Sequence, residues 1–268
     1  MLVFTAAGLF VGFAVGVTGV GGGSLMTPLL ILLFGFSPAV AVGTDLLYAA
    51  GTKAFGVWLH GRQQTIEWRV VFRLASGSVP ASLATVAWLH YVGIDDSIEH
   101  LMTLTLCVAI VATAILTLIK QRLVAAGKGG KASAFLNALH GRWQAPITVG
   151  GGVVLGVLVT MSSVGAGVLG TTLLLLLYPR LSAITIVGTD IAHAVPLTLI
   201  AGLGHISLGT PDFTVLIYLL LGSLPGIWLG TRIGYRLPEH VLRPIIAIML
   251  IIIGVVMFVD TISSTVTS

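Results

Sequence analysis

Two tripeptides carry the most telling chemistry in this chain. Gly43-Thr44-Asp45 recurs 145 residues later as Gly188-Thr189-Asp190, and the chain holds only nine acidic residues. Each aspartate stands about eight residues into an apolar run, roughly 10 Å along a helix axis. An acid at that depth in a bilayer costs about 2.5–3.5 kcal/mol, so it needs a purpose. Three roles are open to it. It can carry a proton, it can accept hydrogen bonds from buried backbone amides, or it can contact substrate. Tyr48 and His193 follow their aspartates by three residues and share a helical face with them. Thr44, Asp45, Tyr48, Thr189, Asp190 and His193 therefore form one candidate set, for coupling or for holding structure.

A glycine-rich interruption precedes each tripeptide. The first runs Thr18-Gly19-Val20-Gly21-Gly22-Gly23-Ser24, and the second Ser162-Ser163-Val164-Gly165-Ala166-Gly167. A helix restarting after such a break presents free N–H groups and the positive end of its dipole, which suits an anion. The candidate substrate contacts are Thr18, Gly21, Gly22, Gly23 and Ser24 in the first break. In the second they are Ser162, Ser163, Gly165, Ala166 and Gly167. Lipid tolerates irregular backbone only where protein or a cavity covers it. Matched breaks in two halves of a chain point to a transport site.

Composition says what positions these groups. Of 268 residues 56% are hydrophobic and 8% charged, with a mean hydropathy of +1.08. Soluble domains carry roughly 25% charged residues, so soluble enzymes, disordered chains and nucleic-acid binders are excluded. Cys107 is the sole cysteine, which rules out an internal disulfide and a cysteine metal cluster. No zinc-hydrolase, phosphate-loop or nucleophile motif is present, so no enzyme, cofactor or metal is expected. The first Lys or Arg is Lys53; the apolar start is read as membrane domain rather than a cleaved signal.

Six stretches are long enough to cross a bilayer: 38–59, 70–91, 100–119, 183–204, 213–233 and 242–260. Residues 2–36 and 146–178 each read as two short helices joined at a break. The offset near 145 also pairs His60 with His205, and Gly77-Ser78-Val79-Pro80 with Gly222-Ser223-Leu224-Pro225. The Gly/Pro pairs are expected as matched kinks, and the two histidines as interfacial residues at helix ends. Trp58, Trp68 and Trp88 are expected in an aromatic belt. The predicted fold is an all-α, polytopic transmembrane helix bundle. It has a first repeat over 1–119, a basic linker over 120–145 and a second repeat over 146–268. Each repeat holds one broken helical hairpin and three spans. A hairpin returns to its own side and three spans change sides, so the repeats have inverted topology.

Charge placement agrees. The linker carries Lys120, Arg122, Lys128, Lys131 and Arg142 and no acid, which places it in the cytoplasm. Working outward puts twelve of the thirteen Lys/Arg at the inner side and both termini outside. Lys53 is the exception, and either snorkels inward or attracts anions.

The early break from Gly16 to Ser24, Pro28, Gly43-Thr44-Asp45, the weaker second copy and the basic linker together resemble the sulfite exporter TauE/SafE family of membrane transporters. The resemblance covers essentially the whole chain. It implies a multi-pass prokaryotic plasma-membrane protein whose partners are the lipid bilayer and a small anion, such as sulfite, thiosulfate or a sulfonate. Transport is then secondary or passive, with proton coupling as one option. The alternative is a divalent-cation or proton path through Asp45, Asp190 and His193.

In a Cys107→Ala background, a cysteine at Gly130 is expected to react with a membrane-impermeant maleimide only from the cytoplasmic side. Labelling from the outer face alone would overturn the topology.

Overall fold

The computed structural model describes residues 1–18, 23–62, 64–127, 143–234 and 247–259. Those residues form helices joined by short connections, with no strand among them. In chain order the helices are α1 (Leu2–Thr18), α2 (Gly23–Phe34), α3 (Pro38–Arg62), α4 (Trp68–Val92) and α5 (Asp96–Gly127). They continue as α6 (Gln144–Ser162), α7 (Val168–Leu177), α8 (Ala183–Ser207), α9 (Phe213–Gly234) and α10 (Ala247–Val259). Five of these, α4, α5, α6, α8 and α9, are long and apolar enough to cross a membrane. Helix α3 has 25 residues, but Asp45 and Lys53 interrupt its apolar character. The protein is thus an all-helical polytopic bundle.

Local chemistry sets the helix starts. Pro38 opens α3, where its missing N–H is no loss and its φ is already helical. Ser182 caps α8 by accepting the Thr185 N–H at 3.2 Å. Asp95 accepts the Ile98 N–H at 2.8 Å ahead of α5, and Asp212 the Val215 N–H at 3.0 Å ahead of α9. Each satisfies a first-turn amide that the helix itself leaves open.

The packing is exchanged between the two halves of the chain. Helix α1 lies along α9, and α6 lies along α4, while α3 and α8 pair at the centre. Glycines set the distance. A Cβ on Gly8, Gly12 or Gly222 would overlap the carbonyl oxygen of Leu219, Ser223 or Thr5 respectively. A Cβ on Gly152, Gly156 or Gly77 would overlap that of Leu74, Ser78 or Val149. The second set is the first displaced by 144 or 145 residues. The sequence repeat is therefore also a repeat of contacts. Such backbone-to-backbone approach through small residues is how helices associate where lipid removes the hydrophobic drive.

Gly77 and Gly222 are thus points of closest approach. Helices α4 and α9 run unbroken through Pro80 and Pro225. Trp58, Trp68 and Trp88 stand exposed on the outer surface of the bundle. Helix α5 continues past its apolar span to Gly127.

Gly77→Val is expected to destabilise the bundle by about 1–3 kcal/mol or more, as overpacking against rigid backbone does. Gly150 has open space around its Cβ position, so Gly150→Ala should change stability by about 1 kcal/mol at most. Thermal melting in detergent compares the two; equal melting points would remove the packing role.

Candidate functional site

The second break is built as follows. Helix α6 ends at Ser162, and Ser163 turns left-handed at φ 58°, its N–H donating to the Val159 carbonyl at 2.8 Å. The Ser162 hydroxyl donates to the Leu158 carbonyl at 2.6 Å and accepts the Val164 N–H at 3.3 Å. Gly165 and Gly167 then take φ of 129° and 154°, a region that side chains disfavour. Helix α7 then begins at Val168. Its first internal bonds run from the Gly170 N–H to the Gly165 carbonyl at 3.1 Å and from the Thr171 N–H to the Gly167 carbonyl at 2.8 Å. The amides of Ala166, Gly167, Val168 and Leu169 find no acceptor among the described residues. Ser162, Ser163, Val164 and Ala166 are all buried. Four unspent donors thus gather at the start of a helix, two on buried residues and two on half-buried ones.

Helix α3 brings Lys53 and Asp45 to this region. Lys53, half-buried, donates from Nζ to the Ala166 carbonyl at 2.6 Å. Asp45 is fully buried, and its Oδ2 accepts the Thr27 hydroxyl of α2 at 2.5 Å. The Thr27 backbone amide and the Ser163 hydroxyl also face Asp45. Its Oδ1 and the Ser163 Oγ have no hydrogen-bond partner among the described residues. Asp190 of α8, also buried, lies against the first turn of α7, where a Cβ on Gly170 would overlap its Oδ1. Each aspartate therefore rests on the short helix of its own half.

Tyr48 and His193 occupy equivalent positions and meet equivalent serines. His193 Nε2 lies 2.8 Å from the Ser78 Oγ, while its Nδ1 is buried without a partner among the described residues. The Tyr48 hydroxyl faces Ser223 without forming a hydrogen bond.

The threonines of the tripeptides have a different task. Thr44 Oγ1 accepts the Asp212 N–H at 2.9 Å, and Thr189 Oγ1 accepts the Glu67 N–H at 3.0 Å. Asp212 and Glu67 directly precede α9 and α4 and are themselves equivalent in the repeat. Each threonine therefore ties down the connection of the opposite half. These two residues fasten loops rather than the hairpin beside them.

In the first break, Gly21 and Gly22 lie outside the described residues. Thr18 closes α1 and Gly23 opens α2, and Ser24 is buried. His205, expected at an interface, is fully buried instead. Its Nε2 lies 3.0 Å from the Thr160 carbonyl and its Nδ1 3.0 Å from Thr210 Oγ1. A ring with partners for both nitrogens fits a dry interior, which is why depth along α8 alone misplaced it. The side chain of His60 lies outside the described residues. Sequence reasoning passed over Thr27 and Ser78. Thr27 stands one turn after the first break, and Ser78 lies in the repeated Gly-Ser-x-Pro segment, so both carried a signal. No group of three His, Cys, Asp or Glu gathers as a metal site among the described residues.

A polytopic helical bundle with a glycine break inside protein, overlooked by buried carboxylates, has the features by which membrane transporters build a binding site. Family comparison gives the particular group: residues 4–257 match the family described as Sulfite exporter TauE/SafE, and the chain belongs to it. It is similar to the probable membrane transporter protein YjnA of Bacillus subtilis, with 36% identity over 92% of this chain and 95% of that one. It is also similar to the probable membrane transporter protein YdhB of Bacillus subtilis, at 26% identity over 96% and 98% of the two chains. No solved structure matches. The protein is accordingly a multi-pass cell-membrane transporter.

Thr44→Val and Thr189→Val each leave one loop amide without its acceptor, which costs about 1–3 kcal/mol where the amide stays buried. Faster hydrogen exchange is expected at the Asp212 amide in the first variant and at Glu67 in the second. Unchanged exchange at both would show that the threonines hold nothing.

Proposed function

We propose that this chain is a secondary transporter of a small, sulfur-containing oxyanion such as sulfite, thiosulfate or a sulfonate, bound at the glycine breaks. The observation that carries this reading is the set of four unspent amides at Ala166–Leu169, two of them on buried residues, in the turn whose Ala166 carbonyl holds the ammonium of Lys53. Preorganised donors of this kind suit an anion, because their cost has been met in folding and water does not screen them. The family description supports the sulfur chemistry.

The architecture we assign is a pair of inverted repeats with the linker in the cytoplasm. The exchanged packing of α1 on α9 and α6 on α4, about a central α3–α8 pair, supports it. In such a frame the two halves rock against each other and expose the site alternately to each side.

The two aspartates divide their duties. Asp45 holds the first hairpin through Thr27, and we assign it a structural role. Asp190 lies beside α7, with His193 one turn away and Lys53 within electrostatic reach, and we assign it the coupling proton. The cation-transport alternative has less to stand on, since no cluster of metal-type donors forms among the described residues.

Thermal shift of the purified protein tests the substrate class. Sulfite, thiosulfate or methanesulfonate is expected to raise the melting point, and magnesium or calcium is not; the reverse pattern would establish the cation alternative. In proteoliposomes, Asp190→Asn is expected to keep anion counterflow and lose net, gradient-driven transport. Asp45→Asn should lower the melting point and weaken both activities. Net transport at the wild-type rate in Asp190→Asn would remove that aspartate from coupling.

A further inference from the structure

Resting on the anion reading of the second break, the geometry points to Lys53 as the residue that selects substrate by charge, favouring divalent over monovalent oxyanions. An ammonium has three donors, and Lys53 spends one of them on the Ala166 carbonyl. The other two find no acceptor among the described residues. They belong to the same turn as the unspent amides of Ala166–Leu169, so the ammonium and the helix start both contribute donors to this break. The Ser163 hydroxyl, 5% exposed and without a hydrogen-bond partner among the described residues, belongs to the same break.

The asymmetry of the repeat sharpens the assignment. Offset by 145, the counterpart of Lys53 is Thr198, whose hydroxyl donates within its own helix to the Ala194 carbonyl at 2.9 Å. The cation is therefore present in one half only. It sits on the first repeat and reaches the break of the second. A purely structural bond to a carbonyl needs a donor and no charge, and a threonine or glutamine would cost far less inside a membrane than a lysine. The charge itself needs a reason.

Electrostatics supplies it. Asp190 and Asp45 both act on Lys53, and His193 feels it in turn. Two carboxylates would repel an arriving anion, the more so the higher its charge. Lys53 offsets that repulsion at the point where it matters, because it is bonded to the Ala166 carbonyl at the helix start, while Asp45 is bonded to Thr27 and meets the break only at the Ser163 hydroxyl. Amide donors alone gain little from a second negative charge, whereas a fixed cation in a poorly screened interior gains in proportion to it.

The test uses thiosulfate and methanesulfonate, two tetrahedral sulfur anions that differ by one charge, titrated calorimetrically into the full-length protein in nanodiscs. Lys53→Gln keeps a donor for the Ala166 carbonyl and discards the charge; Lys53→Arg keeps the charge. Wild type is expected to favour thiosulfate by about tenfold or more. Lys53→Gln should fold with a near-wild-type melting point, lose that preference and retain weak methanesulfonate binding. Lys53→Arg should keep the preference. If wild type binds both anions and Lys53→Gln keeps the thiosulfate preference, the assignment of Lys53 falls and the anion reading stands. An equal loss of both anions in Lys53→Gln, with a lowered melting point, also overturns the assignment and reduces the lysine to a tether. If wild type binds neither anion, the anion reading falls and takes this inference with it.

Discussion

A helix interrupted within a bilayer exposes peptide groups that lipid cannot satisfy, at several kcal/mol for each one left alone. Everything else in this protein answers that constraint. The break between α6 and α7 is workable because protein encloses it: α3 crosses its front with Lys53 and Asp45, and α8 backs it with Asp190. Enclosure in turn requires helices to stand closer than side chains permit. Hence Gly8, Gly12, Gly77, Gly152, Gly156 and Gly222 face carbonyl oxygens of the neighbouring helix. The close packing and the irregular backbone are two sides of one arrangement.

The threonine ties extend it. Thr44 and Thr189 accept amides from the connections of the opposite halves. The two halves are therefore fastened to each other at these connections. The central α3–α8 pair holds the aspartates and these ties within one and the same two tripeptides. Gly-Thr-Asp thus combines three tasks over a single helical turn: a small residue for approach, a hydroxyl for a distant loop and a carboxylate for the nearby short helix.

Much of this was legible in the sequence, and for identifiable reasons. A carboxylate in an apolar run is rare enough to be seen, so Asp45 and Asp190 revealed the repeat, and the repeat located the breaks. The boundary of α6 at Ser162 and the restart of α7 near Gly167 follow from serine and glycine conformational preference, which is local. The partners were not legible, because they are set by tertiary contact. Nothing near Thr44 in the chain announces Asp212. His205 lies close to the end of α8 and reads as interfacial, yet Thr160 and Thr210 enclose it. Lys53 reads as a snorkelling lysine until the Ala166 carbonyl is placed beside it. Gly77 and Gly222 read as kink positions because proline follows each; their contacts add that each presents a bare Cα surface to its partner helix.

The exchange of partners also sets a schedule for assembly. Helix α6 enters the membrane after α4 and finds its glycine-matched surface already in place. Helix α1 enters well before its partner, since its matched surface is on α9, which begins at Phe213. At about 5–20 residues per second of synthesis, α1 waits on the order of 10–40 s with Gly8 and Gly12 unpartnered. During that interval a smooth glycine face lies open to any neighbouring helix in the membrane. Helix α1 is thus made early and secured late, and the quality of the whole bundle depends on what happens to it while the rest is still being built.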